Sequence, residues 1–419
     1  MTFVHPGILG WILLAFSALL LLLQTAIGAY FAILFLLSPF RRPRPLPEEA
    51  PTTRFSLVVP ARNEENVIRR VLDSIAALDY PKDLLRLFVI ADNCTDATAA
   101  IARDCGAEVL ERYDLERCTK SEALSWAFYD RGLLAGDSEA ICIIDADNIV
   151  EPSFLRHVER WIRTGYAVVQ GRCESHDPDS SFAGSFSDLF FTLGNRFWHL
   201  PLANQGVSIL NYGTGVAIRV DHLRRIGWNT SSLVEDTEFG LQTILAGQSV
   251  HYCDEAEYMA EHANSFATLW KQQRRWLSGI VECGRLYFKD VLRRWVKGRD
   301  RNALTGVVKL LLPLLCVLTL VQLLFGPLAT FAILGPQAVT PLTMLAGVAY
   351  FLASGFLSAV LILAFDGKLS MRKWRGILMF PIYPFFLGAV AFLSIVHPKR
   401  HWETIDHGTA QSVEPISPA

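Results

Sequence analysis

The chain has 419 residues, 51% of them hydrophobic and only 19% charged, which is too apolar for an ordinary soluble protein of this size. A formal net charge of −2 argues neither for nor against nucleic acid, but with no zinc-finger spacing and no basic helix a nucleic-acid partner has no support. With neither a P-loop nor a GxGxxG present, ATPase and dinucleotide chemistry are unsupported as well.

The first element is an uncharged run from Ile8 to Leu37, interrupted only by Gln24. It exceeds the roughly 20 residues needed to cross a bilayer. It is too long for a signal-peptide core and has no basic segment before it, so a retained anchor over 1–38 is expected. A basic, proline-rich linker follows at 39–53, containing RRPRPLPEEAP.

From there strands and helices alternate. FSLVVP (55–60) predicts a strand, NVIRRVLDSIAAL (66–78) a helix, and LFVIAD (87–92) a second strand. TDATAAIARDCGA predicts a helix ending at Gly106. KSEALSWAFYDRGL is another helix, AICIID a strand, and SFLRHVERWI a helix. This alternation predicts an α/β domain with a mostly parallel, Rossmann-like sheet covered by helices on both faces. In such sheets ligands bind beyond the carboxyl ends of the strands. Three polar clusters fall there: Ala61-Arg62-Asn63-Glu64, Asp92-Asn93, and Asp145-Ala146-Asp147. A D-x-D pair alone is a weak signal, and capping the strand end would explain it equally well. Its place after a buried strand favours a divalent cation held by hard oxygen ligands, Mg²⁺ or Mn²⁺, shared with substrate phosphates.

Farther along, DLFFTLGNRFWHLPLANQG (188–206) is either an amphipathic helix at a membrane surface or a core helix of the domain. SLVEDTEFGLQTILAG opens a helix with Glu235 and Asp236, a position where negative charge is favoured in any case. KQQRRWLSG contains Gln272-x-x-Arg275-Trp276, and tryptophan also suits a membrane boundary. YFKDVLRRWVKG suggests a second surface helix.

Three further apolar runs close the chain: Leu310 to Leu334, Pro341 to Phe365, and Ile377 to Val396. Their basic flanks face the cytosol by the positive-inside rule, and so does the polar middle of the chain. The last run has basic residues on both sides and Pro381 and Pro384 within it. A re-entrant pair satisfies both flanks better than a crossing. The eight cysteines are scattered without a CxxC pair, so reduced structural thiols are expected.

The order D, DxD, ED, QxxRW, followed by membrane segments, resembles the family 2 glycosyltransferases, over about Ser56 to Gly279. Within them it is similar to the membrane-integrated processive branch that makes cellulose, chitin, hyaluronan and poly-N-acetylglucosamine. The resemblance implies a GT-A domain over 54–280; the hydropathy and charge pattern places an amphipathic interface helix over 281–303, membrane segments with a re-entrant pair over 304–397 and a cytosolic tail over 398–419. It implies that Ala61, Arg62, Glu64 and Asp92 contact the nucleoside of a UDP-sugar, with Lys120 nearby. Asp145 and Asp147 then meet the donor diphosphate and its metal. Gly213, Thr214 and Gly215 of NYGTGVAIR face the acceptor with Glu235, and Asp236 is the general base. Gln272, Arg275 and Trp276 lie near the diphosphate and the acceptor. Trp402 and Thr404 of HWETIDH match an element that some members place over the active site.

These residue types suit the chemistry, because transfer needs a base for the attacking hydroxyl and positive charge for the departing UDP. A single in-line attack inverts the anomeric centre. The expected product is a growing β-linked polysaccharide built from a glucose- or N-acetylglucosamine-type donor. The alternative is one transfer to a membrane lipid. The membrane part is small for a pore, so a homo-oligomer or an accessory subunit is a further expectation. A non-catalytic sensor or a transporter is disfavoured by the intact acids and by the near absence of ionisable residues in the spans.

Overall fold

The uncharged N-terminal run forms one helix, α1 (Ile8–Leu37), in the computed structural model of the chain. The structure describes residues 8–38, 43–178, 181–334 and 340–399.

The run 55–61 lacks polar alternation, the pattern of a strand covered on both faces. It is the central strand β1 (Phe55–Ala61), with Phe55, Leu57, Val58 and Val59 fully buried. Parallel to it lie β2 (Leu85–Asp92) and β4 (Ala140–Ile143), and β3 (Glu108–Arg112) adds in parallel to β2. Beyond β4 the sheet continues with β5 (Ile149–Val150), β6 (Val168–Ser175), β7 (Val216–Arg219) and β8 (Val250–Ala260). The spatial order is β3-β2-β1-β4-β7-β6-β8-β5. β7 runs antiparallel to both β4 and β6, and β5 antiparallel to β8. The sheet is therefore mixed, and the predicted parallel arrangement describes the half built around β1.

Between the strands of that half run α2 (Ile68–Ala76), α3 (Thr98–Asp104) and α4 (Lys120–Tyr129). Thr119 and Glu122 form a reciprocal capping box that fixes the start of α4 at Lys120. Successive side chains of a strand point to opposite faces. Leu57 and Val59 thus join one core with Val71 of α2 and Phe154 of α5 (Phe154–Arg163). Val58 joins a second core with Leu124 and Phe128 of α4.

The remaining helices connect this domain to the apolar segments. α6 (Phe182–Leu193) continues through a π-helical turn, Gly194–His199, into α7 (Leu200–Asn204). The core-helix expectation holds for the end of this stretch. Leu202 and Ala203 lie in the domain core, whereas Phe186 and Phe190 pack on apolar residues near the C-terminus. α8 (Val220–Ile226) and α9 (Glu235–Leu245) precede α10 (Phe266–Gly298). The QxxRW motif and the basic surface helix, separated at residue 280 in the sequence reading, belong to this one continuous helix.

Then come α11 (Arg301–Leu334), α12 (Pro341–Phe365), α13 (Trp374–Met379) and α14 (Tyr383–Val396), the last two joined by a 3-10 turn at Phe380–Ile382 that holds Pro381. By length and composition four helical segments among the described residues suffice to cross a membrane: Leu14–Leu37, Arg301–Gly326, Pro341–Phe365 and Trp374–Val396. Both ends of the last segment touch the α/β domain. Before it, Lys373 Nζ pairs with Asp188 Oδ2 of α6 at 2.8 Å. After it, Arg274 of α10 donates to the His397 carbonyl at 3.1 Å, and the Lys399 amide donates to Ser278 Oγ at 3.1 Å. The turn after α12 is anchored by Asp366, whose buried carboxylate pairs with Arg172 of β6 at 2.8 Å and with Lys368 at 3.1 Å. Residues 400–406, with Trp402 and Thr404 of the HWETIDH element, lie outside the described residues.

Candidate active site

Because β1, β2 and β4 are parallel, their carboxyl ends open on one edge of the domain. The three clusters expected there are brought together. After β1 the chain turns at Asn63 (φ +57°), and after β2 at Asn93 (φ +53°). Both are in the left-handed region, which asparagine tolerates better than most residues. Asn63 Oδ1 accepts from the Thr95 amide at 2.8 Å, and the Glu64 amide donates to Thr98 Oγ1 at 2.8 Å, which ties the two loops. Ala61 is buried at the end of β1, and Arg62 reaches across to donate to the Cys118 carbonyl at 3.3 Å. Asp92 has a partner that the sequence did not indicate: buried Arg112 donates to its Oδ1 at 2.6 Å. Burial raises the Asp92 carboxyl above its ordinary range, and Arg112 acts against that rise.

The capping box delivers Lys120 to the centre of the site. Its ammonium donates to Asp145 Oδ1, and to the Gly213 carbonyl at 2.8 Å, and lies 3.9 Å from Glu235 Oε1. Burial pushes its pKa down, but Asp145 and Glu235 more than offset this, and the net direction is upward. Asp145 and Asp147 are half-buried. The backbone of Asp145 is fixed by Thr214, whose Oγ1 accepts from the Asp145 amide at 2.9 Å and from the Asn148 side chain. Buried Gln170 holds the same loop, donating to the Thr214 carbonyl at 2.9 Å and accepting from the Tyr212 amide at 2.8 Å.

Gly213 (φ +79°) and Gly215 (φ +58°) are needed for shape as well as for space. A Cβ on Gly213 would lie 3.2 Å from Cβ of Asp236, and one on Gly215 would overlap the Tyr258 ring. Glu235 and Asp236 open α9, and burial raises both carboxyls above their ordinary range. Lys120 and Arg275 pull each of them back toward ionisation. Buried Glu238 anchors the turn before α9 by accepting from the amides of Ser231 and Ser232 at 2.8 and 2.7 Å.

α10 sets QxxRW against this acidic pair. Arg275 donates to the Leu233 carbonyl at 3.3 Å, and Gly279 lets the helix approach Val234, where a Cβ would fall 2.8 Å from Val234 Cγ1. Trp276 is half-buried and meets Phe191 of α6 edge-on at 6.4 Å. Gln272, one turn earlier, is half-buried on the same helix.

Lys309 and a Tyr212–His199 pair are further members that motif reasoning did not select. Lys309 of α11 acts electrostatically on Asp236 and favours its ionised form. It lies one residue before the apolar run expected at Leu310, so the sequence reading left it outside both the site and the span. Tyr212 Oη and His199 Nδ1 share a hydrogen bond at 2.6 Å. Burial pushes His199 down to about 3, so it is neutral at ordinary pH. His199 ends the π-helical turn, a distortion frequent at functional sites.

Among the described residues no cluster of three or more His, Cys, Asp and Glu side chains forms a metal cage. The half-buried Asp145 and Asp147 nevertheless fit a Mg²⁺ or Mn²⁺ ion that takes only one or two protein carboxylates and completes its shell with phosphate oxygens and water.

The fold is a GT-A-like mixed sheet, with paired acids at its switch edge and an arginine-bearing helix opposite them. Residues 51–279, more than half of the chain, match the family described as Glycosyltransferase like family 2, and the protein belongs to that family. It is 26% identical over 245 residues to the Probable glycosyltransferase YdaM of Bacillus subtilis, covering 54% of this chain and 55% of that protein. It is 26% identical over 248 residues to the beta-monoglucosyldiacylglycerol synthase of Nostoc sp., covering 57% of this chain and 52% of that protein. The chain thus spans about half the length of these curated relatives. Among solved structures, the mannosyltransferase PcManGT from Pyrobaculum calidifontis, in complex with GDP-Man and Mn²⁺, matches with a TM-score of 0.56 at 17% identity. That likeness covers 92% of this chain and all of the other, and it shows the fold.

Proposed function

We propose that this glycosyltransferase moves one sugar from a UDP-sugar to a membrane lipid of the diacylglycerol class, with inversion at the anomeric carbon. The sequence motifs alone favour a growing polysaccharide. The beta-monoglucosyldiacylglycerol synthases among its relatives favour the lipid instead, and four apolar segments form a modest membrane part for polymer export.

The observation that carries the chemistry is the convergence of Lys120, Asp145, Gly213 and the Glu235–Asp236 pair within one set of contacts. Asp236 accepts the proton of the attacking lipid hydroxyl. The hydroxyl oxygen forms the new bond to the anomeric carbon as the bond to the UDP oxygen breaks. Arg275 and Lys120 supply positive charge near the departing diphosphate. Asp145 and Asp147 would hold Mg²⁺ or Mn²⁺, which supplies further neutralisation of UDP when bound. Ala61, Arg62, Glu64 and Asp92 line the uridine side. Gly213, Thr214 and Gly215 give the acceptor close access to the backbone, and Gln272 and Trp276 face the acceptor side. Lys309 holds Asp236 toward its basic form, and the neutral Tyr212–His199 pair shapes the same wall.

The catalytic domain faces the cytosol. The contacts of Lys373 with Asp188 and of Arg274 with His397 support a re-entrant last segment, since both of its flanks rest on that one domain.

The metal assignment is tested by UDP release from the purified full-length protein with UDP-glucose and diacylglycerol. Turnover should require Mn²⁺ or Mg²⁺, stop with EDTA, and be lost in Asp147→Asn while the protein keeps its thermal midpoint. Equal release with EDTA and with Mn²⁺ would overturn it.

A further inference from the structure

Away from the active site, a cavity of about 410 Å³ lies where α1, the last turn of α10 and the first turn of α11 meet. It is lined by Tyr30, Trp295, Val296, Arg299, Arg301 and Leu304. Its volume falls in the range of small-molecule sites. Four of the lining residues are apolar or aromatic and the other two carry guanidinium groups.

Among the described residues these arginines have no anionic partner of their own. Between residues 289 and 301 stand six basic residues and two acidic ones. Asp290 pairs with Arg293, and Asp300 with Arg294 at 2.6 Å, while the other Asp300 oxygen caps α11 by accepting from the Asn302 amide. Among the described residues Arg299 and Arg301 form no ion pair, and each has an exposed side chain. Arg299 also caps α10 with φ +50°, a left-handed conformation usually left to glycine. Here it displays an arginine at the rim of the cavity.

The surroundings indicate what fits. α1 and α11 are two of the segments apolar enough to span, and Gln24 of α1 donates to Thr319 of α11 at 2.9 Å farther along. The cavity thus lies at the basic end of two packed apolar helices. Exposed Trp295, with Tyr30, gives it the aromatic character of a membrane boundary. Guanidinium groups bind phosphate oxygens bidentately. We propose that this cavity is a lipid site that seats the phosphate headgroup of an anionic phospholipid of the cytosolic leaflet, with the glycerol and upper acyl chain against Trp295, Val296 and Leu304. The bound lipid joins α1 to the α10–α11 corner. α10 carries Arg275 and α11 carries Lys309, so occupancy steadies two helices that reach the active site. The inference rests on the apolar helices lying in a bilayer and not on the identity of the sugar acceptor.

The test is lipid retention by the full-length detergent-purified protein, read by native mass spectrometry with phosphatidylglycerol or phosphatidylcholine. The wild type should retain one phosphatidylglycerol and no phosphatidylcholine. Arg299→Gln with Arg301→Gln should weaken retention by about tenfold or more, as expected for two basic groups at an anionic surface. Arg293→Gln with Lys297→Gln removes equal charge outside the cavity and should leave retention unchanged. Equal loss in both double variants, or none in the first, overturns the site. Displacement of the lipid by an equal concentration of glycerol 3-phosphate overturns the assignment to a membrane lipid. Since the readout is binding, a wrong acceptor assignment leaves this result standing.

Discussion

Gly213 stands directly against Asp236: a Cβ at position 213 would lie 3.2 Å from Cβ and 3.4 Å from Oδ2 of the aspartate. The loop proposed to admit the acceptor is therefore also the wall against the proposed base. Gly213→Ala adds a methyl group at φ +79°, a strain of about 1–2 kcal/mol, and displaces the carboxylate. We expect turnover to fall by about 10–100-fold, the scale of a small misplacement of a catalytic group, while UDP affinity stays within twofold (about 0.4 kcal/mol). Full activity in this variant, measured by UDP release, would show that the loop has room to spare.

Asp236→Asn should reduce transfer by about 10²–10⁴-fold, the usual contribution of a general base, with nucleotide binding retained. The pH profile gives a sharper reading. If Asp236 is the base it works as a carboxylate, and activity is then lost as pH falls through its pKa. Burial holds that pKa above the ordinary range, and Lys309 is among the charges that lower it. Lys309→Met should therefore move the acid limb of the kcat/KM profile to higher pH and leave the alkaline plateau in place. An unmoved acid limb would remove Lys309 from the site.

The last apolar segment makes a prediction about topology. Cysteines at Ser370 and Ser412, in a background lacking the native eight, should both resist an impermeant maleimide in intact cells and both react after lysis. Labelling of position 412 alone in intact cells would mean that the segment crosses, contrary to the basic residues on both sides of it.

Much of the donor half was legible in the sequence because each of its strands is local. The short β-branched run at 55–60, bounded by turn signals, reads as a buried strand, and the acids at 145 and 147 follow directly from β4. Helix α9 was equally clear, since Glu235 and Asp236 open it. Arg112 was not legible as the partner of Asp92, because the pairing depends on β3 lying beside β2, and β3 carries the mixed pattern Glu-Val-Leu-Glu-Arg. The reversal at β7 was hidden for a related reason: its run Val-Ala-Ile-Arg is short and follows a glycine loop. Lys309 was missed because hydropathy marks where an apolar run begins and says nothing about which way a lysine at its border faces. The acceptor class lay beyond the motifs as well, because in the family it resembles QxxRW occurs with polymer and lipid acceptors alike.

The central claim is a single transfer to a lipid. The most direct measurement is incubation of the full-length protein in membranes with a panel of radiolabelled UDP-sugars, diacylglycerol and Mn²⁺, followed by sizing of the labelled product. The account predicts one labelled lipid carrying a single sugar, formed from one preferred donor and absent with Asp236→Asn. A ladder of oligosaccharides or a high polymer would contradict it.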